Sequence, residues 1–269
     1  VKTTPATVLV PAGGGAVARE IHVAVTNDLK TTADATVSLS APAGWTVTPA
    51  TAPLSFTRED ESRSVRFTVT APAGTAAGEQ QVRATVTSAA APDRRFDLGY
   101  QVIEYPHFQR RHVINPAATT ARVLDVKVAP GIRVGYIVGV GDQVPEALEQ
   151  LGATVTFIDT DELAWGDLSR YDVIMTGVRA YERRDDLRAY NRRLIDFAER
   201  GGTVVVQYNK TEFNQAQYGP YAARVGGGRV TDELAPVTVL VPNHPVFNFP
   251  NRVDDRTWSG WVQERGLYF

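Results

Sequence analysis

Residues 21–27 read Ile-His-Val-Ala-Val-Thr-Asn, with an apolar side chain at every second position from residue 21 to residue 25. Alternation with period two is typical of a β-strand that buries one face and exposes the other. The pattern recurs in the first hundred residues. The alternating apolar residues of the recurrences are Val37, Leu39, Val65, Phe67, Val69, Val82, Ala84 and Val86. The sequence therefore predicts several short strands that share one core.

Short clusters of Pro, Gly and small residues separate these strands, at residues 41–44, 48–50 and 71–74. Such clusters end strands and form turns. Residues 96–103 add a further apolar run. Some seven short strands with turns at this spacing, and no helical periodicity, predict an antiparallel, immunoglobulin-like β-sandwich over residues 1–104.

The pattern changes after Arg133. Val134–Val140 is almost continuously apolar, which indicates a strand buried on both faces. Residues 139–142 (Gly-Val-Gly-Asp) follow it. They lack the third glycine and the Lys-Ser/Thr of a phosphate-binding loop, so we interpret them as a tight turn that caps a helix. Further strands are expected at residues 153–158, 171–176 and 203–207, with helices at residues 144–151 and 185–198.

This alternation of strands and helices predicts a flavodoxin-like, doubly wound α/β domain over residues 131–269. Residues 105–130 contain little Gly or Ser, so we expect an ordered connector, with an edge strand at residues 123–128. After an apolar run at residues 237–241, the sequence becomes rich in loops and aromatic residues. We therefore expect the domain to be incomplete at its C-terminus and the native chain to continue past Phe269.

Composition excludes several functions. The 269 residues suggest two domains, and a net charge of −2 argues against a nucleic-acid partner. No apolar run reaches the ~20 residues of a membrane span. With no cysteine in the sequence, disulfides, cysteine–zinc sites and a cysteine nucleophile are excluded. The four histidines lack a metal-ligand spacing, so we expect neither a metal site nor a cofactor.

Residues 42–45 (Pro-Ala-Gly-Trp) and 67–72 (Phe-Thr-Val-Thr-Ala-Pro), together with residues 21–27, resemble a known family over most of residues 1–103. It is the small sandwich domain found beside carbohydrate-binding modules in α-galactosidases and other exported enzymes. The resemblance implies an accessory domain that is periplasmic or extracellular.

The second half resembles the glutamine-amidotransferase-like α/β domains of the trehalose-utilisation type. The residues concerned are 171–177 (Tyr-Asp-Val-Ile-Met-Thr-Gly) and 201–209 (Gly-Gly-Thr-Val-Val-Val-Gln-Tyr-Asn). With residues 261–269, this pair of domains resembles the C-terminal region of large bacterial PIG-L-type deacetylases. That likeness implies a zinc-dependent N-acetyl-sugar deacetylase domain as partner, in the same chain or in a neighbouring one.

The chain departs from both catalytic families. The His-Pro-Asp-Asp-Glu motif of the deacetylases is absent, and the only His-Pro pair is His244-Pro245. Active amidotransferases place a cysteine at a strand–helix elbow, for which residues 207–210 (Gln-Tyr-Asn-Lys) are the expected equivalent. Without cysteine there is no thiolate to form an acyl-enzyme. We therefore expect no catalytic residue in this chain.

Polar residues follow the strands of the expected parallel sheet, where open α/β sheets bind their ligands. These candidate ligand-binding residues are Asp142, Asp159, Arg179, Tyr181, Tyr208, Asn209 and Lys210. Their mixture of acids, bases and amide suits a sugar or a polar partner. An ordinary rim of solvated and capping residues remains the alternative.

A second candidate surface lies near the end of the chain, where aromatic residues accompany arginine. Its candidate residues are Trp258, Trp261, Arg265, Tyr268 and Phe269. Trp, Tyr and Arg dominate binding energy at protein interfaces, so we interpret this group as an interface or as intradomain packing, with sugar stacking as the alternative.

These observations together predict a non-catalytic accessory region of an exported carbohydrate-active hydrolase, which positions a catalytic domain and contacts glycan or protein. Two alternatives stay open. The α/β domain acts on or binds a sugar through its strand-end residues, or the chain is a structural oligomerisation module.

Overall fold

The structure, a computed structural model, describes residues 1–260. The chain divides into two compact units, Val1–Val126 and Lys127–Phe269. The first unit consists of strands. They are β1 (Lys2–Thr4), β2 (Thr7–Pro11), β3 (Val17–Thr26), β4 (Ala33–Ser40), β5 (Thr46–Thr48), β6 (Thr51–Phe56), β7 (Ser62–Ala71), β8 (Gly78–Ser88), β9 (Ala91–Phe96), β10 (Leu98–Tyr105), β11 (Phe108–Pro116) and β12 (Ala118–Leu124).

The first unit is an immunoglobulin-like β-sandwich, as the alternation predicts. One sheet has the order β1-β3-β7-β5, and the other has the order β2-β12-β8-β4-β6, with β9 also paired to β8. Inward side chains of both sheets form the core, because the pleat sends every second residue inward. Ile21 and Phe67 are directly opposite in the antiparallel pair β3–β7, and both are fully buried.

The chain start contributes to both sheets, since β1 pairs with β3 and β2 pairs with β12. Strand β12 is parallel to β2 and antiparallel to β8. The expected edge strand at residues 123–128 is thus an interior strand that ends at Leu124. Residues 105–126, expected in a connector, lie in the first unit.

A long hairpin belongs to neither sheet, although the amino group of Val1 donates to the Leu98 carbonyl at 3.1 Å and the Tyr100 hydroxyl lies 3.5 Å from Asp28. Strands β10 and β11 pair only with each other within the described residues. The single strand expected at residues 96–103 is therefore the end of β9 followed by β10. Its register places Tyr100 opposite Ile114 and Leu98 opposite Pro116 on one face. Leu98, Tyr100 and Ile114 are 54%, 56% and 65% exposed, so this face is apolar and open.

The second unit contains a four-stranded parallel sheet with short helices between its strands. Its elements are β13 (Arg133–Ile137), α1 (Val144–Gln150), β14 (Thr154–Phe157), α2 (Thr160–Trp165), β15 (Val173–Thr176), α3 (Ala180–Arg183), α4 (Asp185–Ala189), α5 (Asn191–Glu199) and β16 (Thr203–Val206). One-turn 3-10 helices occupy Leu168–Arg170, Thr211–Gln215 and Pro245–Phe247. The strand order is β14-β13-β15-β16, with every pair parallel.

The packed side of this sheet carries the core of the second unit. Ile137, Ile174 and Leu194 are buried there with Tyr181 from α3. The strand expected at residues 134–140 ends at Ile137, because the chain turns at residues 138–142. The helix expected at residues 185–198 is two helices, α4 and α5, which meet at Tyr190.

Two features of the second unit differ from expectation at its C-terminal side. Residues 237–241 form no strand, and beyond β16 the described chain contains the two 3-10 helices and a single β-bridge residue, Arg229. Residues 261–269, the expected interface segment, lie outside the described residues.

The sandwich core gives a direct test of the first unit. Phe67→Ala removes a fully buried ring and is expected to lower the free energy of unfolding by about 3–5 kcal/mol. Arg66→Ala is the matched control, because its side chain is 68% exposed and its ion pair with Glu20 contributes at most about 1 kcal/mol. Denaturant unfolding measures the free energy of unfolding of each variant, and hydrogen exchange reports whether the loss falls on β3 and β7. Equal losses for the two variants would contradict this packing.

Candidate functional site

The candidate site lies at the carboxyl ends of β13 and β15. The chain leaves β13 toward β14 on one side and returns to β15 on the other, so the direction of winding reverses between these two strands. Ligands of open parallel sheets bind in the crevice at such a reversal. The groups that fill this crevice therefore decide what the unit can bind.

A buried tyrosine and a carboxylate occupy the crevice. The hydroxyl of Tyr136, at 1% exposure, lies 2.6 and 2.7 Å from the two carboxylate oxygens of Asp142 and donates to them. Gln207, just after β16, donates its amide to the same hydroxyl oxygen at 2.7 Å. Burial first, and then the neighbouring carboxylate, raise the pKa of Tyr136 well above its usual value. The phenol stays protonated and acts as a fixed donor.

Asp142 also holds the two loops at the reversal. Its carboxylate accepts from the backbone amide of Val144 at 3.0 Å and from that of Val178 at 3.3 Å. The first bond caps the start of α1, as the sequence predicts, although Gln143 stands at the formal cap position. The second ties the loop after β13 to the loop after β15. The carboxylate is thus engaged by the protein itself.

Two glycines allow these loops to meet. A Cβ on Gly139 would lie 2.0 Å from the carbonyl oxygen of Val178, and one on Gly177 would lie 3.1 Å from the Tyr136 hydroxyl. Val140 donates its amide to the same Val178 oxygen at 3.0 Å. Backbone and buried side chains therefore fill the place where a phosphate or a substrate would enter.

The strand–helix elbow of this unit is at Arg179. This residue follows β15, precedes α3 and has φ 57°, one of two positive values among described non-glycine residues. A residue at positive φ in a sharp strand-to-helix turn is the geometry of a nucleophile elbow. Residues 177–181 (Gly-Val-Arg-Ala-Tyr) thus have the backbone shape of an elbow, whereas residues 207–210, where the sequence predicts one, lead into the 3-10 helix Thr211–Gln215. A guanidinium stands where a nucleophile would stand.

The Arg179 side chain belongs to a compact charged cluster. Its Nε and Nη2 both donate to the Glu182 carboxylate at 2.5 Å. This pairing lowers the pKa of Glu182 and raises that of Arg179. Lys210 lies 3.7 Å from Glu182 and 4.0 Å from Glu212. The cluster balances two cations against two anions, which suits a neutral polar ligand better than a free anion.

Tyr208 lies beside this cluster and reaches solvent. Its carbonyl accepts from the Arg179 amide at 2.8 Å, while its ring is 43% exposed. We refer to Arg179, Tyr208 and Lys210 as the polar rim. Of the seven candidate residues, these three lie close together and have side chains that are accessible to solvent.

Tyr181 and Asn209 have different surroundings from the polar rim, since they are 2% and 7% exposed. The Asn209 side chain accepts from the Tyr181 amide at 3.3 Å and donates to the Gln207 carbonyl at 2.8 Å. The Tyr181 hydroxyl donates to Asn191 at 2.7 Å, and Asn191 donates to the Tyr218 carbonyl at 2.8 Å. These polar groups fix the fold of the strand-end loops.

Asp159 is the N-cap of α2 and accepts from the Glu162 amide at 2.8 Å. Sequence reasoning missed Tyr136, Gln207 and Glu182. A tyrosine within an otherwise apolar strand is the signal for Tyr136, because a buried hydroxyl needs a partner. Glu182 stands in a stretch of alternating acidic and basic residues that begins at Arg179, and nothing in the sequence distinguishes it from its neighbours.

Residues 1–260 contain no group of three or more His, Asp or Glu side chains placed to hold a metal ion. None of the helices in that range is long and apolar enough to cross a membrane. Trp258 of the expected interface group is half-buried. Trp261, Arg265, Tyr268 and Phe269 lie outside the described residues.

Comparison with known proteins identifies part of the first unit. Residues 17–88 match the family model described as the NPCBM-associated, NEW3 domain of alpha-galactosidase. This match covers β3 to β8, the centre of the sandwich, and it agrees with the resemblance seen in the sequence. A search of curated proteins finds no significant match.

Solved structures similar to this chain include the MSP family member WR4 of C. elegans, with 10% identity and a TM-score of 0.28 over 46% of this chain and 96% of that one. The E. coli chaperone DraB has 15% identity and a TM-score of 0.24 over 47% of this chain and 56% of its own. The Pseudomonas aeruginosa chaperone CupB2 has 12% identity and a TM-score of 0.23 over 45% and 54%.

The closed crevice gives the second test. Gly139→Ala places a methyl group against the Val178 carbonyl, so the loops must separate, and we expect a loss of about 1–3 kcal/mol in the free energy of unfolding. Gly227→Ala is the control, because a Cβ there meets nothing within 4 Å. Thermal melts of both variants measure the difference. A Gly139→Ala melt at the wild-type temperature would show that the loops do not touch.

Proposed function

We propose that this chain is a non-catalytic accessory region of an exported carbohydrate-active hydrolase of the N-acetyl-sugar deacetylase type. The observation that carries the proposal is the family match of residues 17–88 to a domain associated with alpha-galactosidase. The resemblance of the second half to PIG-L-type deacetylases supports the finer assignment. The compartment in this proposal is periplasmic or extracellular.

The second unit contributes binding in place of catalysis in this proposal. Its parallel sheet has the order of a flavodoxin-like, doubly wound domain, and we assign it to the amidotransferase-like type. Two observations favour a domain without catalytic activity. The crevice is filled by Tyr136 and Asp142, and the elbow carries Arg179 where a nucleophile would stand. The absence of cysteine from the sequence removes glutaminase chemistry.

The hairpin β10–β11 supports a protein-contact role. A two-stranded hairpin is only marginally stable in water unless something packs on it. Its open face exposes Leu98, Tyr100 and Ile114. Contact of these apolar side chains with water is unfavourable in a monomer, and their burial would favour binding of a partner domain. We assign this face to the catalytic deacetylase domain, in the same chain or in a neighbouring one.

Glycan contact is the second part of the proposal, and the polar rim carries it. An exposed tyrosine beside paired charged groups offers a ring face for stacking and several donors and acceptors for hydroxyl groups. Arg179, Tyr208 and Lys210 are arranged in this way. The neutral balance of the cluster favours an uncharged sugar such as an N-acetylhexosamine.

The catalytic claim is tested by assay of the whole purified chain for glutaminase, esterase and N-acetyl-sugar deacetylase activity, with and without zinc. We expect no turnover above the blank, because the sequence has no cysteine and residues 1–260 contain no cluster of acidic and histidine side chains placed to hold a metal ion. Turnover that disappears on Tyr208→Ala, which changes a side chain that is 43% exposed, would overturn the accessory function.

The glycan claim is tested by affinity electrophoresis with soluble chitin oligosaccharides. We expect wild type to be retarded and Tyr208→Ala to lose about tenfold in affinity, since stacking of one ring contributes about 1–1.5 kcal/mol. Tyr221→Ala is the control, because Tyr221 is 81% exposed and lies outside the polar rim. Equal retardation of wild type and Tyr208→Ala would remove the glycan part of the proposal.

A further inference from the structure

Strand β16 has an open edge. Among the described residues it pairs only with β15. The amides of Thr203 and Gln207 donate to carbonyls at Asp172 and Thr176, each at 3.3 Å. Because N–H and C=O groups alternate sides along a strand, those of Val204 and Val206 point away from β15. This edge therefore presents backbone donors and acceptors to any strand that approaches.

The side chains at this edge are also open. Val205 and Val206 are 36% and 43% exposed. Strands of parallel sheets are normally covered on both faces, and an exposed apolar edge invites pairing with another chain. Something that adds one more strand here would satisfy both the backbone and the side chains.

Residues 236–242 read Pro-Val-Thr-Val-Leu-Val-Pro and carry no charge. Val, Thr and Leu at this density have high strand propensity, and the prolines bound a segment of strand length. Yet residues 237–241 form no strand, and Leu240 and Val241 are 87% and 58% exposed. No backbone amide of residues 237–240 donates to another group of the described chain. The segment has the composition of a strand and lacks a sheet.

We propose that residues 237–241 close onto β16 as a fifth strand, parallel to it and in the same chain. Residues 207–236 connect the two segments, which exceeds the minimum of about 10–12 residues for a parallel crossover. The strand would have about the length of β16. Its Val237, Val239 and Val241 would share one face, and Thr238 and Leu240 the other.

The proposal goes beyond the accessory function and does not depend on it. If residues 237–241 pair with β16, the edge of β16 is no longer available to form a β-ladder with another chain. A closed sheet would bury Val205 and Val206 together with the apolar segment. An open one would leave two complementary β-surfaces exposed on the same protein.

The natural absence of cysteine makes a cross-linking test clean. Val205→Cys is combined in turn with Thr238→Cys, Val239→Cys and Leu240→Cys in the full chain, followed by mild oxidation. Adjacent strands lie about 4.8 Å apart, within the Cα separations that a disulfide spans. We expect at least one pair to form an intramolecular disulfide in most molecules. Val205→Cys with Leu234→Cys is the control, because Leu234 is 78% exposed outside the proposed strand.

Hydrogen exchange supplies a second measurement that does not depend on register. We expect residues 237–241 of the wild type to exchange at least about tenfold more slowly than residues 228–234. One of the variants Val239→Pro and Leu240→Pro should abolish that protection, because one of these two neighbouring amides faces β16 in either register, whereas Thr231→Pro should leave it unchanged.

Three outcomes would overturn the proposal. They are disulfide yields no higher than the control, exchange of residues 237–241 as fast as that of residues 228–234, and cross-links that appear only between two molecules. The last result would assign the edge of β16 to a second copy of the chain.

Discussion

The hydrogen bond from the Tyr136 hydroxyl to the Asp142 carboxylate is the constraint on which the strand-end region of the second unit depends. It lies in a buried environment, where an unpartnered carboxylate or phenol would cost several kcal/mol. The same carboxylate orients the start of α1 and holds the loop after β15 through Val178. Because this bond draws the loop after β13 against the loop after β15, residues 139 and 177 have no room for a side chain and must be glycine. The crevice of this sheet is consequently part of its core, and the glycan site that we propose lies outside it, on the polar rim.

The sandwich was predictable from sequence because its cause is local. The pleat places residues 21, 23 and 25 on one face, and burial of that face requires apolar side chains in alternation. Register follows, since a shift of one residue would turn Ile21 and Phe67 outward. The family match over residues 17–88 agrees with this interpretation. Strands β13 to β16 lie close to their expected positions for a similar reason, because a buried parallel strand needs a continuous apolar run.

The remaining features depend on pairs of residues that are distant in sequence. Nothing near Ala118–Leu124 shows that this strand inserts between β2, at the start of the first unit, and β8 at residues 78–88. The elbow at Arg179 was missed because arginine rarely has positive φ, and composition gives no sign of it. The apolar run that contains Tyr136 correctly predicts that this residue is buried. It does not predict the partner of the hydroxyl, because the turn after β13 is what places Asp142 beside it. Asp159 resembled a ligand residue and serves as a helix cap, since both roles place an acid after a strand.

The insertion of β12 between β2 and β8 also bears on biosynthesis. A nascent chain leaves the ribosome from its N-terminus, so β2 emerges early and waits for a partner more than a hundred residues away. Until Leu124 has cleared the exit tunnel, β2 lacks its neighbour and residues 78–83 of β8 lack the partner strand on one side. The sandwich can therefore complete its second sheet only after the hairpin β10–β11 has been made.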